Sequence, residues 1–235
     1  MENDLTILYY TANMIPEHFM VNIQNQIKKA VGNAPIISVS QKPIGFGYNI
    51  YYKTDGRSLY NLYKQVLIAV RMAKTPYVAC CEDDTLYPPE HFEHRCPLDM
   101  IAYDINKYTL QTWRSDYVFS LRPGRRTMSS MIGSTKVLLD TLEERYDKYP
   151  TVESIPADIY KYYWGEPGRF ENHAKLTPIK TEVFEGKVPH IQFSTPEALG
   201  FEYLGKRKAL GPVQTYELEH WGKAKDIIKL YKEDL

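Results

Sequence analysis

Ala73-Lys-Thr-Pro-Tyr-Val-Ala-Cys-Cys-Glu-Asp-Asp84 is the stretch on which the reading of this chain turns. Tyr77 to Cys81 is a continuous run of small apolar residues, the composition of a strand buried on both faces of a parallel sheet. It runs straight into Glu82, Asp83 and Asp84. Three consecutive acids there raise one another's pKa unless a cation neutralises them. In an open α/β sheet, the crevice beyond the carboxyl ends of the strands is where ligands bind. Alternate residues of an extended segment point the same way, so Glu82 and Asp84 can reach one hard divalent ion while Asp83 turns aside toward a ribose hydroxyl. The plainer alternative is a solvated acidic turn that opens a helix at Pro88-Pro89-Glu90.

Upstream, the pattern alternates strand and helix. Leu5 to Tyr10 is β-branched and aromatic, ends at the turn-prone Thr11-Ala-Asn13, and leads to Pro16 at a first helical position. Phe19, Met20, Ile23, Ile27 and Ala30 recur at helical spacing, and Pro35 to Ser40 reads as a second strand. After Asp55-Gly-Arg-Ser58, the positions Leu59, Leu62, Tyr63, Val66, Leu67 and Val70 mark one face of a second helix.

Downstream the pattern shortens. Met100 to Tyr108, Thr109 to Arg114 and Tyr117 to Leu121 predict short mixed or antiparallel strands. Ser134 to Tyr146 and Ala157 to Tyr163 predict helices, Thr181 to Phe184 and His190 to Phe193 strands, and Glu217 to Lys232 a final helix. The expected fold is α/β: a single Rossmann-like domain over 1–235 with a parallel-dominated central sheet in 1–98 and a mixed half in 99–235.

Composition narrows the function. The 235 residues carry 29 basic and 29 acidic side chains, so nucleic-acid binding must rest on a local patch rather than on the field of the whole molecule. The apolar runs fall short of the ~20 residues a bilayer span requires. The acidic start, Met1 to Asp4, offers no signal-peptide pattern, and Cys80, Cys81 and Cys96 match neither a disulfide framework nor a metal knuckle. A cytoplasmic protein is expected.

The succession Thr11-Ala-Asn13, Ser40-Gln41, Gly56-Arg-Ser-Leu-Tyr-Asn61 and Ala73 to Asp84 resembles the nucleotide-sugar half of GT-A glycosyltransferases, especially the family 2 type. The match covers about the first hundred residues, and Glu82-Asp83-Asp84 stands where that family has its DxD motif. The departure is Glu for the first Asp, which lets Glu82 act on the ribose or through water while Asp84 holds the metal. Tyr77 to Phe92, with Trp164-Gly-Glu-Pro-Gly-Arg169, also resembles small phage glycosyltransferases, some of which decorate hydroxymethylated bases in DNA.

The resemblance implies a nucleoside-diphosphate sugar donor, a UDP-sugar foremost, and a Mn²⁺ or Mg²⁺ cofactor. It implies that Thr11, Asn13, Ser40 and Gln41 line base and ribose, and that Arg57, Ser58 and Asn61 approach the phosphates or donor sugar. For Ser58 and Asn61, helix capping is an equal alternative. It also implies a third metal ligand from the second half, for which His190 is the candidate, and an acceptor-side base, for which Asp158 leads over Glu153 and Glu166. The cluster Lys206-Arg207-Lys208 is available to clamp the leaving diphosphate or acceptor phosphates. Rival classes are a nucleotidyltransferase, which calls for a Gly/Arg/Lys-rich loop where Thr11-Ala-Asn13 stands, and a binding module without turnover. A glycan is the rival acceptor to DNA, and the oligomeric state is not encoded in any readable pattern.

Overall fold

The computed structural model describes residues 3–54, 56–198 and 209–232. The chain opens with β1 (Leu5–Thr11), α1 (Glu17–Val31), β2 (Ile36–Ser40), β3 (Tyr48–Tyr51), α2 (Leu59–Met72) and β4 (Tyr77–Glu82). These strands stand in the order β4-β1-β2-β3, and all three pairings are parallel. Alternation along β1 feeds two cores. Leu5, Ile7 and Tyr9 pack with Phe19, Ile23 and Ile27 of α1, while Leu8 and Tyr10 pack with Val66, Leu67 and Val70 of α2. A strand with no polar face follows from being covered on both sides, and β1 is buried throughout. The β4 run Val78 to Cys81 is likewise buried, and its two cysteines are free, as is buried Cys96.

The second half adds β5 (Thr85–Leu86), β6 (Met100–Asp104), β7 (Lys107–Gln111), β8 (Phe119–Leu121), β9 (Met131–Ser134), α3 (Thr135–Lys148), α4 (Tyr160–Tyr163), β10 (Lys180–Phe184), β11 (His190–Ser194) and β12 (Val213–Thr215). β9 inserts antiparallel between β4 and β6, extending the first sheet, among the described residues, to β10-β6-β9-β4-β1-β2-β3. Gly133 is needed there, since a Cβ would sit 2.7 Å from the Ile101 Cα. A second sheet runs β12-β8-β7-β11-β5. Its β5 follows the acidic turn directly and pairs with β11, so the turn is clasped between the two sheets.

Three expectations need correction. The helix expected over Ala157 to Tyr163 is confined to Tyr160–Tyr163. The strand expected across Met100 to Tyr108 is broken at Ile105-Asn106, where Asp104 Oδ1 accepts from the Asn106 amide at 2.9 Å and turns the chain. The final helix expected from Glu217 is instead a hairpin of β13 (Glu217–Leu218) and β14 (Gly222–Lys223), then a short α5 (Ala224–Ile227). Gly222 has φ of 80°, a left-handed conformation that interrupts the helical spacing of the apolar residues around it. No helix among the described residues is long and apolar enough to cross a membrane.

Candidate active site

The acidic run leaves the carboxyl end of β4, beside the carboxyl ends of β1 and β2. All three acids are half-buried. Tyr10, one residue before the end of β1, donates to Glu82 Oε1 at 2.8 Å, and Gln192 of β11 donates to Glu82 Oε2 at 3.4 Å. Asp83 turns the other way and accepts from the Thr11 hydroxyl. Asp84 Oδ1 accepts from Thr85 Oγ1 at 2.8 Å, and its carbonyl accepts from the Phe193 amide at 2.7 Å.

Burial pushes all three carboxyls up, Asp83 to about 7. The Asp84 charge adds to this at Glu82, and the Asp83 charge adds to it at Asp84. Facing them is Lys107, buried at the start of β7 and donating to Thr127 Oγ1 and, at 3.5 Å, to Ser129 Oγ. Burial pulls its ammonium down, Arg125 adds to this, and the charges of Glu82 and Asp84 oppose it. Lys107 and Gln192 are functional candidates that sequence reasoning did not single out. Both lie in short strands, β7 and β11.

A cavity of about 150 Å³ opens beside the run, with Asp84, Gln192, Arg122 and Arg125 among its walls. A neighbouring cavity of about 620 Å³ is walled by Arg122, Arg125, Arg126, Arg169 and the glycines Gly124 and Gly168, with Pro123. The anionic turn thus borders a strongly cationic one. The donor set fits a hard divalent cation. Glu82 and Asp84 offer carboxylate oxygens, and because each oxygen accepts more than one bond, the partners Tyr10, Gln192 and Thr85 leave lone pairs for an ion.

The other expected residues fall into three groups. Thr11 is buried, and its hydroxyl accepts from the Asn13 amide at 2.8 Å as it donates to Asp83. Asn13 takes a positive φ of 53°, and its Oδ1 receives the Lys42 amide at 2.9 Å. Ser40 is buried under Asn49, which donates to it at 2.9 Å, and the Gln41 amide donates to the Thr11 carbonyl at 3.3 Å. Thr11, Asn13, Ser40 and Gln41 therefore surround the β1 and β2 ends together with Asp83. In the second group, Ser58 caps α2 by accepting from the Asn61 amide at 3.0 Å, Asn61 donates to the Gly56 carbonyl at 2.5 Å, and Arg57 donates to the Glu197 carbonyl.

The third group is acceptor-side. Asp158 and Glu153 are exposed on the turns before α4. Glu166 is half-buried, accepts from Arg169 at 2.9 Å, and its charge acts on Lys107. His190 does not join Glu82 and Asp84. Its ring lies with His91 and Asp104, behind Tyr87, and Gln192, two residues further along β11, is what reaches the acidic run. Lys206, Arg207 and Lys208 lie outside the described residues.

No protein-family model matches this chain, and no curated protein matches it. Among solved structures, it is similar to residues 1–349 of TarS from S. aureus, with 13% identity and a TM-score of 0.47 over 81% of this chain and 60% of that one. It is also similar to the same TarS fragment in complex with UDP, with 12% identity and a TM-score of 0.49 over 82% and 61%. A third similar structure is the bifunctional IspDF from Campylobacter jejuni, with 10% identity and a TM-score of 0.39 over 88% and 55%. The chain spans about 60% or less of the length of these proteins. At this distance the site's own residues carry the functional reading.

Proposed function

We propose that this chain is a metal-dependent GT-A glycosyltransferase that moves a sugar from a UDP-sugar to an acceptor hydroxyl. One observation carries the reading: Asp84 shares a cavity at the carboxyl end of the parallel sheet with Gln192, Arg122 and Arg125. A departing nucleoside diphosphate needs opposite charge around it, and this cavity joins a carboxylate suited to a divalent ion with guanidinium groups suited to phosphate.

Glu82 and Asp84 would hold Mn²⁺ or Mg²⁺, which supplies Lewis-acid stabilisation of the leaving diphosphate. Thr11, Asn13, Ser40, Gln41 and Asp83 line the nucleoside, and Arg57 with the start of α2 borders the donor. Lys107 tempers the negative charge of the acidic run. Of the three acids considered for proton abstraction, Glu166 alone is half-buried and paired with Arg169 in the wall of the arginine-lined cavity, so it takes precedence over Asp158 and Glu153. The acceptor oxygen would then bond to the anomeric carbon as the bond to the UDP oxygen breaks and UDP leaves, a displacement with inversion, the outcome the family 2 resemblance implies.

The arginine-walled cavity favours an acceptor that carries phosphates, and hydroxymethylated DNA is the acceptor of choice. The three free buried cysteines suit a reducing cytoplasm, and the basic cluster Lys206-Arg207-Lys208 would add phosphate contacts. The test is transfer of labelled sugar from UDP-sugars, with and without Mn²⁺, to hydroxymethylpyrimidine DNA, unmodified DNA and small glycans. Mn²⁺-dependent labelling of the modified DNA alone is expected. Labelled glycan with untouched DNA would move the acceptor to surface-glycan synthesis, and no transfer from any donor would leave a binding module.

A further inference from the structure

Behind the acidic turn, three polar side chains meet inside an aromatic shell. His91 comes from the 3₁₀ turn Pro89–Glu93, Asp104 from the end of β6, and His190 from the start of β11. All three are at most 1% exposed. Asp104 Oδ1 is taken by two backbone amides, Asn106 at 2.9 Å and Gly186 at 3.1 Å. That fixes the carboxylate and turns Oδ2 toward the imidazoles, 3.3 Å from His190 Nε2 and 3.6 Å from His91 Nδ1. Gly186 is obligatory in this cradle, since a Cβ there would stand 2.5 Å from Oδ2. Tyr87, Phe92 and Phe184 close around the two rings.

Despite these distances, no aligned hydrogen bond forms within the group. Asp104 Oδ2 and both nitrogens of each ring are buried without an aligned hydrogen bond, the two approaches to Oδ2 being ion-pair contacts only. Buried polar atoms normally find partners, because leaving them unmet is destabilising. Five such atoms in one place call for something that binds them.

We propose that His91, Asp104 and His190 hold a zinc ion that pins the acidic turn's flank to both sheets. One donor atom from each of the three residues lies within 4.8 Å of the others, the only such group of His, Cys, Asp and Glu found among the described residues. Donors at the usual zinc distances on a tetrahedral ion stand about 3.4 Å apart, which matches the two measured separations. Octahedral Fe(II) at similar bond lengths brings cis donors to about 3 Å, closer than either pair here, whereas three protein donors on tetrahedral zinc leave one position for a water. Neutral imidazoles are required for ligation, and burial holds both histidines below their ordinary value, His190 at about 4. The site is distinct from Glu82 and Asp84, whose donors are all oxygen.

Elemental analysis of the full chain, purified without added metal and then dialysed against zinc and free of excess, is expected to find one zinc per chain. The Co²⁺-loaded protein is expected to give the visible absorption bands of a tetrahedral site. Asp104→Asn and His190→Gln should each weaken zinc binding tenfold or more, while the Glu82→Gln/Asp84→Asn double variant keeps the metal. If the Asp104 and His190 variants do not fold, the zinc content of the unaltered chain decides. Zinc well below one per folded chain, stoichiometric iron in its place, or loss of zinc in the Glu82/Asp84 variant would each overturn the assignment.

Discussion

The Thr11 hydroxyl donates to Asp83 Oδ2, so the carboxyl ends of β1 and β4 are tied by a side-chain hydrogen bond across 72 positions of sequence. The same hydroxyl accepts from Asn13 at 2.8 Å, which draws the loop after β1 into the contact. Asp83 is thereby held away from its two acidic neighbours, whose partners are Tyr10, Gln192 and Thr85.

Replacing Thr11 by Val keeps the volume and removes the donor. Losing the donor leaves a carboxyl oxygen of Asp83 unmet, which should cost about 1–3 kcal/mol, and with Asp83 unanchored UDP should bind more weakly. Urea unfolding and calorimetric titration with UDP measure the two effects. Unchanged affinity with lost stability would reduce the Thr11–Asp83 contact to a structural tie.

Asp84→Asn preserves shape and removes the charge that a hard cation requires, so Mn²⁺-dependent UDP binding should fall by at least tenfold with the unfolding midpoint at or above that of the parent. The midpoint should not drop, because the charge lost is one that burial disfavours. Titration of UDP with and without Mn²⁺ checks it. A variant that binds both like the parent would remove Asp84 from the metal site.

Glu166→Gln should keep UDP affinity and lower turnover by about 10²-fold or more, the usual contribution of a positioned base. Steady-state kinetics on Glu166→Gln, Asp158→Asn and Glu153→Gln in parallel decides among the three acids. A full-speed Glu166→Gln beside a dead Asp158→Asn would return the role to the exposed turn.

Arg145 is buried in α3, where it donates to the carbonyls of Tyr163 at 3.1 Å and Gly165 at 2.9 Å and meets Glu171 Oε1 at 3.1 Å. Glu171 also receives the Gly168 amide at 2.6 Å. Arg145→Met would leave Glu171 buried without its cation, and about 3–5 kcal/mol should be lost. Arg145→Met with Glu171→Leu should recover much of that. Denaturant midpoints of the single and double variants test this, and an equal loss in both would assign the effect to the carbonyl contacts instead.

Arg95 donates to both carboxylate oxygens of Asp4, at 2.9 and 2.7 Å, and this hydrogen bonding holds Asp4 below its ordinary value. A carboxyl lowered in the folded state adds stability that is present above the unfolded value, 3.8, and is lost as pH falls through the folded one. Half of the Asp4 side chain is exposed, so solvent screening should keep the effect below about 1 kcal/mol. Asp4→Asn should therefore destabilise slightly near neutrality, with the difference closing in acid. Urea unfolding across the acidic range measures it, and a gap that widens in acid would have the sign wrong.

The parallel half was legible because its signals are redundant. β1 and β4 are unbroken apolar runs, α1 and α2 carry apolar positions at helical spacing, and the acidic run ends the central strand. Met131-Ile-Gly-Ser134 has none of this. It is four residues long, centred on a glycine, and is a strand because β4 and β6 leave a slot that only a glycine-bearing segment fills. Trp221, Ala224, Ile228 and Tyr231 do have helical spacing, and the hairpin at Gly222 overrides it. In the site, the carboxylates announce themselves by their run. Lys107 and Gln192 do not, because their significance comes from pairing between strands far apart in sequence, and His190 was legible as a candidate ligand while its neighbours His91 and Asp104 were not.

The position of β9 bears on how the protein comes into being. While residues 1–98 emerge, β4 has a partner on the β1 side only, and its other edge shows unpaired amides and carbonyls beside Val78 and Ala79. Bare edges of apolar strands invite pairing with other chains. That edge is covered only once Ile132 and Gly133 have been synthesised, so the growing chain passes through an interval of sticky incompleteness, and any truncation between the acidic turn and α3 would make the interval permanent.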